Sequence, residues 1–293
     1  MKKYLLMTFA LLFISCTPQE IDSLAQVVTS FYPLTYFTEQ IAGDYVNITQ
    51  ITPDGIEPHE YALSTNDLKA IETADLTVAQ GGAFENWAEE FYFGQLVDYS
   101  GLVLVYSHEM DFVLNEENLL DPHVWLDPVL AQEMVLLLSD YLSELDPEHA
   151  PEFRTNAEAI RAKLAALDEE IRAGLSSCQT NKLIVTHDAF SYFSSRYNLE
   201  TLPLLNAADF DEPSLQELKD LADYAKENGL AVIYMESLEN PEVAKVLAEE
   251  ANLTTLVLNT LEGLTPEEKT AGEDYFSIMR SNLTNLKTGL MCQ

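Results

Sequence analysis

Between residues 151 and 176 the apolar positions are Phe153, Ala157, Ile160, Leu164, Leu167, Ile171 and Leu175. Steps of three and four put them in one stripe of an α-helix. Arg154, Glu158, Arg161, Lys163, Glu169, Glu170 and Arg172 fill its other faces. Asp146 and Pro147 ahead of the stripe, and Gly174 near its end, read as start and stop signals. A helix of this length reaches about 35–40 Å at 1.5 Å per residue, the breadth of a domain. The pattern predicts a rigid beam between two lobes; the alternative is an ordinary amphipathic helix inside one domain.

On both sides the period changes to strand and helix in alternation. Ahead of the beam, residues 26–30, 45–51, 75–79 and 102–106 read as strands. Residues 31–41, 64–73 and 84–91 read as helices, and 121–128 leads into another that ends near residue 145. Beyond the beam, strands at 182–186, 202–205, 231–235 and 255–258 alternate with helices at 190–197, from a cap at 211–214 to about 228, at 241–251 and from 273 to about 288. The fold class expected is α/β: two lobes, each a mostly parallel sheet flanked by helices, joined by one long rigid helix. The expected boundaries are 26–145 for the first lobe, 146–177 for the linking helix and 178–293 for the second lobe.

The charge narrows the function classes. Fifteen Lys and Arg stand against 49 Asp and Glu, a net charge of −34. Such a surface repels nucleic acid and attracts cations. The acids are spread along the chain, so most read as a solvated surface. At the N-terminus, Met1-Lys2-Lys3 precedes an apolar run too short to span a bilayer, which marks a targeting segment over 1–15. Its end, Phe13-Ile14-Ser15-Cys16, resembles the bacterial lipobox, with Phe13 where Leu is usual. That resemblance implies lipidation of Cys16, followed by a polar tether to residue 25; the alternative is plain cleavage and secretion. Loss of Lys2 and Lys3 would bring the charge to about −36. Cys178 and Cys292 remain, and in an exported protein they are candidates for a disulfide, although spacing alone does not supply the geometry.

Five histidines carry the candidate chemistry. His59 lies in a loop of breakers, Pro53-Asp54-Gly55-Ile56-Glu57-Pro58, that follows a strand. His123 precedes a helix, and His187 ends a strand. Those are places where α/β sheets bind ligands. Each alone reads as a surface or hydrogen-bonded structural histidine. Their joint placement on both sides of the beam points to a metal. Imidazole suits zinc, copper, nickel and iron, and three of them with one carboxylate make a tetrahedral zinc shell.

Five segments resemble the metal-binding lipoproteins that feed bacterial ABC importers of zinc and manganese. They are Val28-Thr29-Ser30-Phe31-Tyr32-Pro33-Leu34, Gly55-Ile56-Glu57-Pro58-His59-Glu60-Tyr61, Asp121-Pro122-His123-Val124-Trp125-Leu126-Asp127-Pro128, Thr186-His187-Asp188-Ala189-Phe190 and Leu258-Asn259-Thr260-Leu261-Glu262-Gly263-Leu264. The resemblance implies His59 and His123 as ligands from the first lobe and His187 from the second. Manganese-binding relatives usually have Glu at the third place, so His187 favours Zn2+, with Mn2+ or iron as the alternative cargo. Many relatives have Asp where Asn259 stands, and an amide is a poor ligand for such a cation. Glu262 matches the Glu of zinc-binding relatives and is the fourth ligand expected, with water or Glu60 as fallback; its other reading is a helix-start carboxylate. Asp188 and Glu236 are candidates to hold a ligand histidine through its second ring nitrogen. The His-rich loop of many zinc-binding relatives is reduced here to His108 among Glu109, Asp111, Glu116 and Glu117, which reads as a solvated loop. His149 reads as structural.

The function expected is therefore capture of zinc outside the cytoplasm and delivery to an ABC permease, by a lipid-anchored monomer whose beam resists a wide hinge. A zinc hydrolase is the alternative from another class. The chain lacks H-E-x-x-H, G-x-S-x-G and a phosphate-cradling glycine loop, and a shell closed by Glu262 leaves no position for substrate. A surface adhesin is a third reading, which would not explain histidines drawn from two lobes. Binding is expected to weaken as pH falls toward the ordinary histidine value of about 6.5.

Overall fold

The computed structural model describes residues 24–82, 84–85, 87–88, 101–114, 120–205, 215–238 and 242–293. The targeting segment, Cys16, nearly all of the tether, half of the helix expected at 84–91 and the cap at 211–214 lie outside the described residues.

Two four-stranded parallel sheets follow one another along the chain. The first contains β1 (Ala25–Thr29), β2 (Val46–Gln50), β3 (Leu76–Ala79) and β4 (Leu102–Val105), in the order β2-β1-β3-β4. The second contains β5 (Lys182–His187), β6 (Glu200–Leu205), β7 (Val232–Met235) and β8 (Thr254–Val257), in the order β6-β5-β7-β8. The composition of each strand explains its place. β3 and β5 are buried almost throughout, as a strand covered on both faces must be. Edge strand β2 instead alternates, with Val46 buried and Asn47 and Thr49 exposed.

The helices of the first half are α1 (Tyr32–Ala42), α2 (Thr65–Glu72), α3 (Tyr106–Glu109) and α4 (Pro128–Leu145). α5 (Ala150–Gly174) is the beam, and α6 (Ser191–Tyr197), α7 (Leu215–Asn228), α8 (Glu242–Ala251), α9 (Pro266–Ala271) and α10 (Tyr275–Gly289) follow it. Local chemistry sets their starts. Ser64 and Asp67 form a capping box on α2, Thr265 and Glu268 one on α9, and Asp127 caps α4 through the Val129 N–H. The strand expected to reach residue 106 stops at Val105, where the chain turns into α3. α9 is absent from the periodicity because six residues are too few to show one; its sequence signature is the capping box alone.

The stripe on α5 is buried as expected, from Phe153 through Ile171. Gly174 has a different role from the one its position suggests. It is the last helical residue rather than a cap, and a Cβ there would lie 3.0 Å from Leu283 Cδ1. Its bare backbone lets α10 approach. Asn156 on α5 donates to the Ile41 carbonyl of α1 at 2.9 Å.

The core does not divide at the beam. One connected set of buried residues runs from Val27, Phe31 and Phe37 through Trp125 and Leu164 to Val185, Tyr234 and Leu286. Tyr275 on α10 stacks on Tyr36 of α1, and its hydroxyl donates to the Trp125 carbonyl at 2.6 Å. A shared apolar seam of this kind opposes free rotation of two halves. Cys178, just past α5, is disulfide-bonded to Cys292, 114 residues on.

Candidate metal centre

The carboxyl ends of both sheets face one cleft, and loops leaving them bring four side chains together. His59 sits on a single 3-10 turn, Pro58–Glu60, whose start is fixed by Pro58 and by Glu57, which accepts the His59 N–H at 3.1 Å. Its ring stands edge-on to Phe84, with centroids 4.5 Å apart. His123 follows a tight polar turn: Asp121 Oδ1 lies 3.0 Å from the His123 N–H and 2.8 Å from its Nδ1. The carboxylate fixes the proton on Nδ1 and leaves Nε2 with its lone pair toward the cleft. His187 is the last residue of β5, so strand register sets its place. Glu262 follows Leu261, a buried residue held at φ +63°. Left-handed backbone is costly for a leucine and persists where its surroundings dictate it. Here the Asn259 side chain accepts the Leu261 N–H at 2.7 Å and reverses the chain ahead of the carboxylate.

The donor atoms of His59, His123, His187 and Glu262 all lie within 4.8 Å of one another. His123 Nε2 is 3.3 Å from His187 Nε2 and 3.3 Å from Glu262 Oε1, and His59 Nε2 is 3.8 Å from that same oxygen. A tetrahedral ion with bonds of about 2.0–2.1 Å has ligand-to-ligand edges of about 3.3–3.4 Å. Two of the three distances match that edge, and the His59 contact is a few tenths of an ångström longer. His123 and Glu262 are 0% and 1% exposed, and His187 is 5% exposed.

Burial also sets the protonation. It lowers His187 to about 3, and the nearness of the His123 ring adds to the effect. It holds His59 well below the ordinary histidine value, with His187 and His123 adding to the effect. The two imidazoles are therefore neutral near pH 7, the form that binds a metal. Glu57 stands behind the cluster. Burial pushes its carboxyl up, against hydrogen bonds with Glu262 and the His59 N–H that hold it down.

The remaining candidates stand outside the four-donor cluster, although Glu236 and Glu57 each bring a carboxylate oxygen within 4.8 Å of Glu262. Glu60 is exposed and outside the cluster. Asn259 is occupied as scaffold: its N–H donates to Asn282, its carbonyl accepts from Asn282, its Nδ2 donates to Glu268 and its Oδ1 accepts from Leu261. Glu236 is buried; it accepts the Thr260 hydroxyl, and its N–H donates to Thr186 Oγ1 at 3.2 Å. Asp188 is half-buried beside His187. One carboxylate behind a cluster imidazole is Asp121, two residues before His123. Its sequence signal, an Asp poised to bond the backbone two residues on, is a local turn habit of that side chain. His108 is exposed on α3, and His149 bonds Asp146 at 2.6 Å and stacks on Tyr45, a structural use.

Comparisons with known proteins converge on one family. Over residues 27–289 the sequence matches the family described as ZnuA, zinc-uptake complex component A, periplasmic. The zinc-binding lipoprotein AdcA of Streptococcus pneumoniae serotype 4 is 35% identical over 292 residues, which is 95% of this chain but 58% of AdcA. The chain thus spans somewhat over half of that relative. The high-affinity zinc uptake system protein ZnuA of Bacillus subtilis is 35% identical over 278 residues, 90% of this chain and 87% of that protein. The crystal structure of the Zn(II)-bound ZnuA-like domain of S. pneumoniae AdcA superposes with a TM-score of 0.81 at 35% identity, covering 91% of this chain and 98% of the domain. The fold, the cleft and these matches agree, and the chain belongs to the ZnuA family of periplasmic zinc-uptake components.

Proposed function

We propose that this protein binds Zn2+ outside the cytoplasm through His59, His123, His187 and Glu262 and hands it to an ABC permease. The observation that carries this reading is the four-atom cluster drawn from both sheets, with edges near those of a tetrahedral ion. Zinc is cargo here, and the protein's work is to select it, strip its water and release it. Family membership implies a solute-binding component rather than an enzyme. A closed set of three imidazoles and one carboxylate supports the same view, because a catalytic zinc keeps a position for water.

The organisation proposed is two lobes, 26–145 and 178–293, joined by 146–177, in a monomer tethered through a lipid on Cys16. Among the described residues no helix is long and apolar enough to cross a membrane. The seam between α1, α5 and α10 favours small movements of the lobes over a wide hinge.

The test is metal content with competition titration against chelators, on wild type and Glu262→Ala. One zinc per chain, bound tightly and weakened at least about 100-fold in the variant, is expected when one of four ligands is lost. Unchanged affinity in Glu262→Ala would remove the fourth ligand. Tighter manganese than zinc would overturn the cargo.

A further inference from the structure

Beside the cluster lies a cavity of about 340 Å³ whose wall includes His59 together with Ser30, Thr52, Tyr61, Glu85 and Trp87. That volume exceeds what one water needs by an order of magnitude. Its described lining holds no Lys or Arg. Its one acid is Glu85, which is 5% exposed. Glu85 Oε2 accepts the Gln80 N–H at 2.7 Å and the Gly81 N–H at 2.9 Å, at the turn leaving β3. Gly81 fits there only without a side chain, since a Cβ would meet Ser107 Oγ at 2.2 Å and Val105 Cγ1 at 2.4 Å. The turn is also tied to the His123 loop, because Gln80 Nε2 donates to the Pro122 carbonyl at 2.6 Å. One carboxylate oxygen is thus clamped by backbone, while Glu85 Oε1 is buried with no hydrogen-bond partner among the described residues.

We propose that this cavity is an access chamber in which Glu85 Oε1, with the Ser30 and Thr52 hydroxyls, holds a partly hydrated divalent cation on its way to and from His59. The inference rests on the proposed function and goes beyond it: the chamber is a second, transient oxygen site on the path, separate from the four final ligands. Hard oxygen donors suit a cation that still carries water, whereas the imidazoles suit the stripped ion. Burial raises the Glu85 carboxyl to about 7 against the backbone hydrogen bonds from Gly81 and Gln80, so near neutral pH an arriving cation competes there with a proton. A purely structural acid needs only the clamped oxygen.

The test is stopped-flow mixing of Zn2+ alone with the intact protein, read by the fluorescence of Trp87 and Trp125, followed by dissociation into excess chelator. Glu85→Gln keeps an oxygen for the two backbone N–H groups and removes the charge. Ala62→Phe narrows the exposed rim of the cavity and leaves Glu85 in place. Because arrival and departure share one path, both variants are expected to slow association and dissociation together, by about tenfold, with Kd within about twofold of wild type. Unchanged rates in both folded variants would overturn the chamber. So would a raised Kd from faster dissociation at unchanged association, which would put Glu85 among the final ligands' supports. If Glu85→Gln proves misfolded by thermal denaturation, Ala62→Phe decides alone. A wild type that binds no zinc would overturn the proposed function and the chamber together; normal zinc binding with unaltered rates would overturn the chamber only.

Discussion

The two sheets repeat one topology, with β5 to β8 standing where β1 to β4 stand, yet they supply the cleft in different ways. The first sheet gives its histidines from loops beyond the edge strands β2 and β4. The second gives one from the interior strand β5 itself and its carboxylate from the loop beyond β8. His187 is positioned by the ladder to β6, and His123 by Asp121. His59 sits on a single turn started by Glu57, with Phe84 against its ring, and it makes the longest of the contacts described. Equal topology therefore does not bring equal rigidity. Precision at a site comes from regular elements and from hydrogen bonds behind the ligand, and His59 draws on a shorter regular element than His187 does.

That comparison can be broken most directly at the ligands. His187→Ala is expected to weaken zinc binding at least about 100-fold in a competition titration. His59→Ala should cost less than His187→Ala; the reverse order would show that the loop histidine is the better anchored. A next effect concerns the halves themselves. Replacing Cys178 and Cys292 together by serine removes a cross-link in the second half only, and should lower stability by about 2–4 kcal/mol. Denaturant unfolding should still proceed in one transition, because the core is shared. Two separated transitions would refute the shared seam.

Asp121→Asn should leave the fold intact and lower zinc affinity about 10- to 100-fold, the usual cost of losing a carboxylate behind a ligand histidine. No loss would mean that the burial of His123 alone fixes its ring. The smallest effect expected is with pH. His59 and His187 are held below their ordinary value, so zinc affinity should stay nearly flat as pH falls through 6.5 and weaken only further down. The unfolded chain takes up protons on these residues below about 6.5, while the fold resists until about 3 at His187, so the metal-free protein loses stability as pH falls across that window. Affinity measured against pH, beside thermal denaturation of the metal-free form, checks both. A steep loss of binding at 6.5 would contradict the buried histidines.

Much of this arrangement was legible in the sequence, and the reasons are physical. The α5 stripe could be read because a long amphipathic helix repeats its period many times. The strand and helix alternation could be read because buried parallel strands are short apolar runs between turn signals. Ligand chemistry spoke against Asn259 and the resemblance to zinc-binding relatives pointed to Glu262; the structure adds that the Asn259 side chain is engaged with Glu268 and Leu261. What escaped were features that depend on contacts distant in sequence. The bare backbone of Gly174 makes sense only against Leu283. Asp121 and Glu85 look like any other acids in a chain of 49 until a ring or a cavity is placed beside them. α9 was too short to leave a period.

The contact of α10 with α1 sets an order of events in folding. Synthesis delivers a chain from its N-terminus, so Tyr36 and Phe37 emerge long before Tyr275, their partner. Until that last helix arrives, Tyr36 and Phe37 lack the rings of Tyr275 and Phe276 that pack on them. The shared core is therefore completed only when α10 is made, and a truncation that removes α10 is expected to weaken both halves rather than the second alone.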